Sequence, residues 1–454
     1  MVAFPTVSTG PDRVDTIDEY LREVLEPALA GLGCVVERFD NPVAGHGPLL
    51  VGRRHEADDR PTVLVYGHAD VVDGLAGQWS HDRDPWRLAQ AGAGSQERWY
   101  GRGAADNKAQ HLVNLSALGI LLAEQGRLGF NLTVLIETSE EVGSPGLAEF
   151  AQEHRDLLAA DVLIASDGPR LAVDVPTLFL GARGGVNLDL DVDLRLGSYH
   201  SGNWGGILRN PATTLAGAID SLVDGHGRVR VEALRPPPPS ESVRAALGRL
   251  DLHSEPDDPE PDPTWGETEL SPAERLYAWN TLEVLAIGSG DVDRPVNAIP
   301  GRARACLQLR FVVGTDISNV ATRVQEHLDG LGFSMVRVRE TMSFAASRTD
   351  PDHPWVSWAA QVLAANTDGE LAVLPNIGGS LPNYVFTDVL GLPTIWLPHS
   401  HPGCRQHAPD EHMLKVVARD GMVLATALFH ALGNAPTPRS TPDPARGPRR
   451  RTRP

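Results

Sequence analysis

The chain has 454 residues, 41% of them hydrophobic, and a formal charge of −19. That length supports two domains rather than one core, and the negative balance argues against a nucleic-acid-binding surface. No basic-then-apolar leader opens the chain, and nowhere is there an apolar run of roughly 18 residues, so neither a signal peptide nor a membrane span is expected.

DTIDEYLREVLEPALAGLG, residues 15–33, carries apolar residues at helical spacing and closes on Gly, which predicts a helix. Three short, nearly continuous apolar runs follow: TVLVYG (62–67), LTVLIE (132–137) and DVLIAS (161–166). Between the first two lies DNKAQHLVNLSALGILLAEQG, a helix whose Leu112, Leu115, Leu118 and Leu122 form one face and whose Gly126 fits a C-cap. Buried strands alternating with helices indicate an α/β fold with a mainly parallel sheet covered on both faces.

The pattern then changes. VNLDLDVDLRL (186–196) alternates apolar and polar residues, as do ARACLQLRFVV and MVRVRE, which reads as antiparallel sheet with one wet face. Two helices are expected among these strands, one from Asn210 as cap and Pro211 at its first position, the other in ISNVATRVQEHLDGLG. RPPPPSES and HSEPDDPEPDPTWGE read as loops. From about Asp350 the α/β pattern returns and ends in the strand LPTIWLP. The expected organisation is a catalytic domain in two parts, 1–180 and 348–434, with an α+β antiparallel domain inserted at 181–347. A Pro- and Arg-rich tail, 435–454, is expected to be disordered. Three cysteines, Cys34, Cys306 and Cys404, cannot make a disulfide framework and suit a reducing cytoplasm.

Ligands of parallel α/β sheets gather beyond the carboxyl ends of the strands. Here TVLVYG leads into His68 and Asp70, LTVLIE into Glu140 and Glu141, and DVLIAS into Asp167, while Asp106 opens the intervening helix. LPTIWLP leads into HSHPGCRQHAPDEH. Taken singly, a buried His, a Glu pair at a helix start or an Asp at an N-cap has an ordinary structural role. Together at successive strand ends, so many carboxylates would repel one another without cations between them. Nitrogen and oxygen donors without thiolate suit Zn²⁺, with Mn²⁺ or Co²⁺ as alternatives. Two ions roughly 3.5–4 Å apart could share a carboxylate and hold a bridging water.

The segments GHADVV, GRGAADNK, ETSEEVGSPGL, ASDGP and QHAPDEH resemble, in order and spacing, the carnosinase, aminoacylase and carboxypeptidase group of dinuclear zinc peptidases, zinc-peptidase family twenty, nearest its dipeptidase branch. The resemblance spans about Asp15 to Leu432. It implies that His68 and Asp167 bind one metal, Glu141 and His407 the other, and Asp106 both. It implies Glu140 as the general base acting on a bridging hydroxide, Asp70 as the carboxylate that fixes the His68 tautomer, and a cis peptide at Asp106–Asn107. It also implies that the inserted domain is a lid and dimerisation domain whose His200, in YHSGNWGG, polarises the scissile carbonyl in the partner subunit. Asn297, Arg310, Gly379 and Ser380 fall in segments resembling those that bind substrate, Arg310 lying on the polar face of its strand where it could clamp a carboxylate.

One departure is that Asn376 and Ile377 stand before the paired glycines, where the dipeptidase branch has an acidic residue. His399, His401 and Cys404 have no metal role in the pattern and are assigned to the surface or to supporting positions; His81, His111 and His412 are read as structural. The expectation is a cytoplasmic, homodimeric, two-zinc hydrolase cleaving a dipeptide or an N-acyl amino acid next to a free carboxylate, with deacylation as the alternative. A non-catalytic binding protein on the same fold is the alternative of another class.

Overall fold

The computed structural model describes residues 1–9, 13–250, 252 and 260–438, so most of the expected tail, from 439 on, lies outside the described residues. In chain order the strands used below are β1 (Val35–Phe39), β2 (Leu49–Arg54), β3 (Thr62–His68), β4 (Asn131–Glu137), β5 (Val162–Ala165), β6 (Thr177–Phe179), β7 (Gly184–Asp193), β8 (Thr281–Gly288), β9 (Arg302–Phe311), β10 (Val336–Phe344), β11 (Ala372–Leu374) and β12 (Thr394–Trp396).

Eight of them form one sheet in the order β1-β2-β4-β3-β5-β12-β6-β11. Its centre, β4-β3-β5-β12, is parallel. β1 and β2 add an antiparallel edge, and β12 meets β6 antiparallel at the other side. Every residue of β4 and β5 is buried. The reason is that alternate side chains feed two different cores. Val63, Val65, Val134 and Ile164 pack with the helices Lys108–Gln125, Pro354–Ala364 and Lys415–Asn434, whereas Leu64, Tyr66, Leu135 and Leu163 pack with Leu147, Phe150 and Phe386 on the opposite face. Lys415–Asn434 is long and apolar enough to cross a membrane, but Leu424, Ala425, Leu428, Phe429 and Leu432 belong to the first of these cores.

The expected helix 15–33 is three consecutive helical pieces, with a π turn at Leu21–Leu25 just before Pro27. Proline has no N–H for the preceding turn, and a widened turn accommodates that loss. The helix Lys108–Gln125 ends on Gly126 in the left-handed region, as expected, and of the leucine stripe Leu115 and Leu118 are buried and Leu122 packs against the same core, while Leu112 is 43% exposed. Val113, Ala117 and Leu121 join them in the core.

The second sheet is antiparallel, ordered β8-β9-β7-β10. Val186, Leu188, Leu190 and Val192 of β7 and Leu307, Leu309 and Phe311 of β9 build its core with the helices Pro211–Leu222 and Val320–Gly330. On the other face, Asp189 and Asp191 pair with Arg304 and Arg339 across the strands. The chain enters and leaves this region through a two-residue ribbon, Gly181–Ala182 against Ser347–Arg348. β8 was not anticipated: its Val284 to Ile287 run does not alternate, and a register shift interrupts its pairing with β9. RPPPPSES is loop only in part, since Ser240 caps a helix Glu241–Leu247. Val243, Leu247, Ala273 and Tyr277 of this stretch pack into the core of the large sheet rather than into that of the small one.

Candidate metal centre

β4, β3, β5 and β12 are neighbours and, being parallel, present their carboxyl ends side by side. His68 is the last residue of β3, the turn Glu140–Val142 follows β4, and Asp167 lies two residues past β5. Asp106 precedes the helix that begins at Lys108, whose N-cap position is held by Asn107. Asp106 is therefore not the cap. The Asp106–Asn107 peptide is cis.

Asp106 lies between two imidazoles. Its Oδ1 is 3.0 Å from His68 Nε2 and its Oδ2 is 3.1 Å from His407 Nε2. Asp167 Oδ2 is 3.5 Å from His68 Nε2, and Glu141 Oε2 is 3.0 Å from His407 Nε2. Asp70 stands behind the cluster. His68 Nδ1 is 3.1 Å from the Asp70 backbone oxygen and 3.3 Å from its carboxylate. The two oxygens of that carboxylate accept the backbone N–H groups of Glu140 (3.2 Å) and Glu141 (3.1 Å). Asp70 thus holds the imidazole and the Glu140–Glu141 turn together.

The charges respond to this crowding. Burial, reinforced by Asp167, Glu141 and Asp106, drives Glu140 well above the usual carboxylate range. Burial and Asp106 push Glu141 up to about 7. Burial also opposes ionisation of Asp106, but hydrogen bonds from His407 and His68 hold it well below its ordinary value. Asp106 and Glu141 lift His407 to about 10.

The donor set fits a cation. One donor atom each from His68, Asp106 and Glu141 lie within 4.8 Å of one another. Among the described residues Glu141 Oε1 is buried without a hydrogen-bond partner and buried Asp167 Oδ2 has only the long 3.5 Å approach of His68 Nε2, a costly state for a carboxylate oxygen that a metal ion would relieve. All the donors are nitrogen or oxygen, as zinc, manganese and cobalt accept.

Residues 64–432 match the family described as peptidase family M20/M25/M40. The chain is 31% identical over 388 residues to the cysteinylglycine-S-conjugate dipeptidase of Corynebacterium striatum, covering 82% of this chain and 80% of that protein. This chain belongs to the M20 peptidase family. It is 27% identical over 414 residues to the beta-Ala-His dipeptidase of Rattus norvegicus, covering 88% of this chain and 82% of that protein. The M20 family metallo-carboxypeptidase from Sulfolobus solfataricus superposes with a TM-score of 0.80 at 25% identity, covering 95% of this chain and 97% of that one. The chain is accordingly a metal-dependent peptidase.

In this M20 peptidase a cavity of about 490 Å³ runs from Asp106, Glu140, Asp167 and His407 to Arg310, Gly379 and Ser380. Arg310 Nη1 donates to Ser380 Oγ at 2.7 Å, joining β9 of the second sheet to a loop of the first. His200 and Asn297 do not line that cavity. They sit together on an exposed ribbon, where His200 pairs with Ala298 and Ser201 donates to the Asn297 carbonyl.

His399, His401 and Cys404 are buried, which corrects the surface option. His399 Nε2 meets Ser166 Oγ at 3.0 Å, next in sequence to Asp167. His111 and His412 are buried structural residues, as read, His111 Nδ1 lying 3.2 Å from Asn107 Oδ1.

Two residues of the site escaped the sequence. Glu411, fully buried, accepts N–H groups from Gly103, Ala105 and Asp106 and a guanidinium N–H from Arg102 at 2.6 Å. It fixes the Asp106 segment to the loop of His407; its place in QHAPDEH was the available signal. Arg183, at the entry to the second sheet, donates from Nε to the Gly378 carbonyl at 2.8 Å, and its backbone oxygen accepts from Ser380 Oγ at 2.9 Å.

Proposed function

We propose that this M20 peptidase is a dipeptidase with a two-zinc centre, Mn²⁺ or Co²⁺ being the alternative ions. His68 and Asp167 would hold one ion, Glu141 and His407 the other, with Asp106 between them. Ions bound there polarise an amide carbonyl and make water nucleophilic near neutral pH. The observation that carries this reading is the convergence of these side chains with two buried, under-satisfied carboxylate oxygens, on a chain whose curated relatives include dipeptidases.

Glu140 is the residue left to work as base. It is half-buried, lines the cavity and is held protonatable by desolvation and by its acidic neighbours. As the water oxygen bonds to the carbonyl carbon, Glu140 takes the water proton. As the carbon–nitrogen bond breaks, it delivers that proton to the leaving amine. Arg310, beside Ser380 and Gly379, would take the substrate carboxylate as a two-pronged donor. The N-acyl alternative keeps support from Asn376 and Ile377, which offer no acid for a free ammonium group.

The segment 181–347 would serve as lid and dimer interface. Leu285 and Ile287 are exposed on β8, a strand at the sheet edge, and Tyr199, Trp204 and Ile207 are exposed beside His200. A second copy would cover them and bring His200, with Asn297, to the partner's cleft, where the imidazole stabilises the oxyanion. Sedimentation equilibrium should give a dimer; a monomer at micromolar concentration overturns this part. Cys34, Cys306 and Cys404 are free thiols, which supports a cytoplasmic location, testable by fractionation of the host cell.

The function is tested by incubating zinc-reconstituted protein with panels of dipeptides and of N-acetyl amino acids and weighing the products. Hydrolysis of dipeptides is expected. Glu140→Gln should lower kcat by about 10²–10⁴-fold while bound metal stays as in the parent. Parent-level turnover by that variant removes Glu140 as the base.

A further inference from the structure

The end of the cavity away from the acids carries the guanidinium of Arg310, with that of Arg183 behind the Gly378 wall. Arg310 lines it, and among the described residues no carboxylate lies within ion-pair distance of Arg310 or of Arg183. Arg183 is only 7% exposed. Its Nε is committed to the Gly378 carbonyl, while its Nη1 is buried with no hydrogen-bond partner among the described residues. Gly378 is part of the cavity wall, and a Cβ there would sit 3.8 Å from Arg183 Nη2. The bare glycine therefore leaves the second guanidinium behind a thin wall. Tyr277 and Leu276 complete this end and contribute no charge of opposite sign. Glu283, exposed on β8, acts on Arg183 only from beyond ion-pair reach.

Burial and the charge of Arg310 hold Arg183 down at about 10, still a cation near neutrality. A buried cation close enough to feel a second, half-buried one, with no anion in ion-pair reach among the described residues, is expensive. One substrate carboxylate, taken by Arg310 as in the function proposed above, answers only one of them.

We propose that Arg183 and Arg310 together recognise a substrate whose C-terminal residue carries two carboxylates, an aspartyl or glutamyl terminus. Arg310 takes the α-carboxylate, and Arg183 takes the side-chain carboxylate beside Gly378. The preference rests on the dipeptidase reading but goes further, because that reading requires a single carboxylate. A neutral amide in the same place offers one acceptor oxygen but no negative charge, so the Arg183 cation stays uncompensated.

The test compares kcat/KM of the zinc-reconstituted wild type for alanyl-glutamate against alanyl-glutamine, and for alanyl-aspartate against alanyl-asparagine. The acidic member should lead by about tenfold or more, chiefly through KM. Arg183→Met should bring the ratio toward one, and Arg183→Lys should keep part of it. Equal rates within each wild-type pair overturn this inference alone, and so does an Arg183→Met ratio equal to the parent's. No hydrolysis of any member, with metal bound, overturns the dipeptidase reading and this inference together. Because the wild-type ratios decide by themselves, a variant that fails to fold does not protect the proposal.

Discussion

His68 Nδ1 lies against the backbone oxygen and the carboxylate of Asp70, which turns Nε2 toward Asp106 and Asp167. The same Asp70 carboxylate anchors the N–H groups of the Glu140–Glu141 turn, so one buried acid sets the aim of an imidazole and of two further carboxylates. Deeper in the domain, His399 shows what burial does to an imidazole outside the cluster. With burial as the main cause and Arg170 adding to it, its pKa is pushed down to about 3. The unfolded chain takes a proton there near pH 6.5, the native one not until about 3. Stability is therefore full above about pH 6.5 and is lost as pH falls toward 3, by up to about 1.4 kcal/mol per pH unit. Glu137, raised to about 7 by burial, titrates in the opposite sense, so the measurement is a difference. Urea unfolding of wild type and His399→Gln from pH 7 to 5 should show the wild type losing stability relative to the variant. A difference independent of pH would contradict the assignment.

The helix Lys108–Gln125 shows how far periodicity carries at the scale of an element. Helical spacing and a terminal Gly give its existence and its end. Choosing leucines alone puts Leu112 on the face of Leu115 and Leu118, yet the helix lies between the large sheet and Lys415–Asn434, and the arc buried there takes in Val113, Ala117 and Leu121 and leaves Leu112 out. Leu118→Ala should cost about 2–5 kcal/mol of unfolding free energy, whereas Leu112→Ala should stay within about 0.5 kcal/mol. Equal losses in denaturant titrations would mean the helix is rotated from its described position. β8 went unread because an edge strand has one neighbour and needs no alternation to be stable.

For the whole molecule, the cost of gathering so many acids at one rim should appear in stability. Cations bound there favour the native state by RT ln(1 + [L]/Kd), about 4 kcal/mol at a thousandfold excess over Kd. Dialysis against a chelator should lower Tm and abolish turnover, and Zn²⁺ should restore both, as followed by scanning calorimetry and hydrolysis. A Tm unmoved by metal would argue that the cluster folds without cations. The cavity is also a property of the whole, because Arg310 comes from the second sheet and Ser380 from a loop of the first.

The sequence by itself determined the alternation of buried strands and helices, the change to an antiparallel sheet after Gly181, and the residues His68, Asp106, Glu140, Glu141 and Asp167 at the rim. These follow from local order: a side chain just past an apolar strand has to emerge at the strand's carboxyl end. Only the tertiary structure decided that Asp106 faces two imidazoles, that Glu411 ties the Asp106 segment to the His407 loop, and that Val243 and Tyr277 pack on the large sheet. It also decided that Arg183 lies behind Gly378, bonded to that carbonyl through Nε and left without a partner at Nη1 among the described residues. Each of these joins segments far apart in the chain, and local spacing cannot express which distant donor reaches which acceptor once the chain has closed on itself.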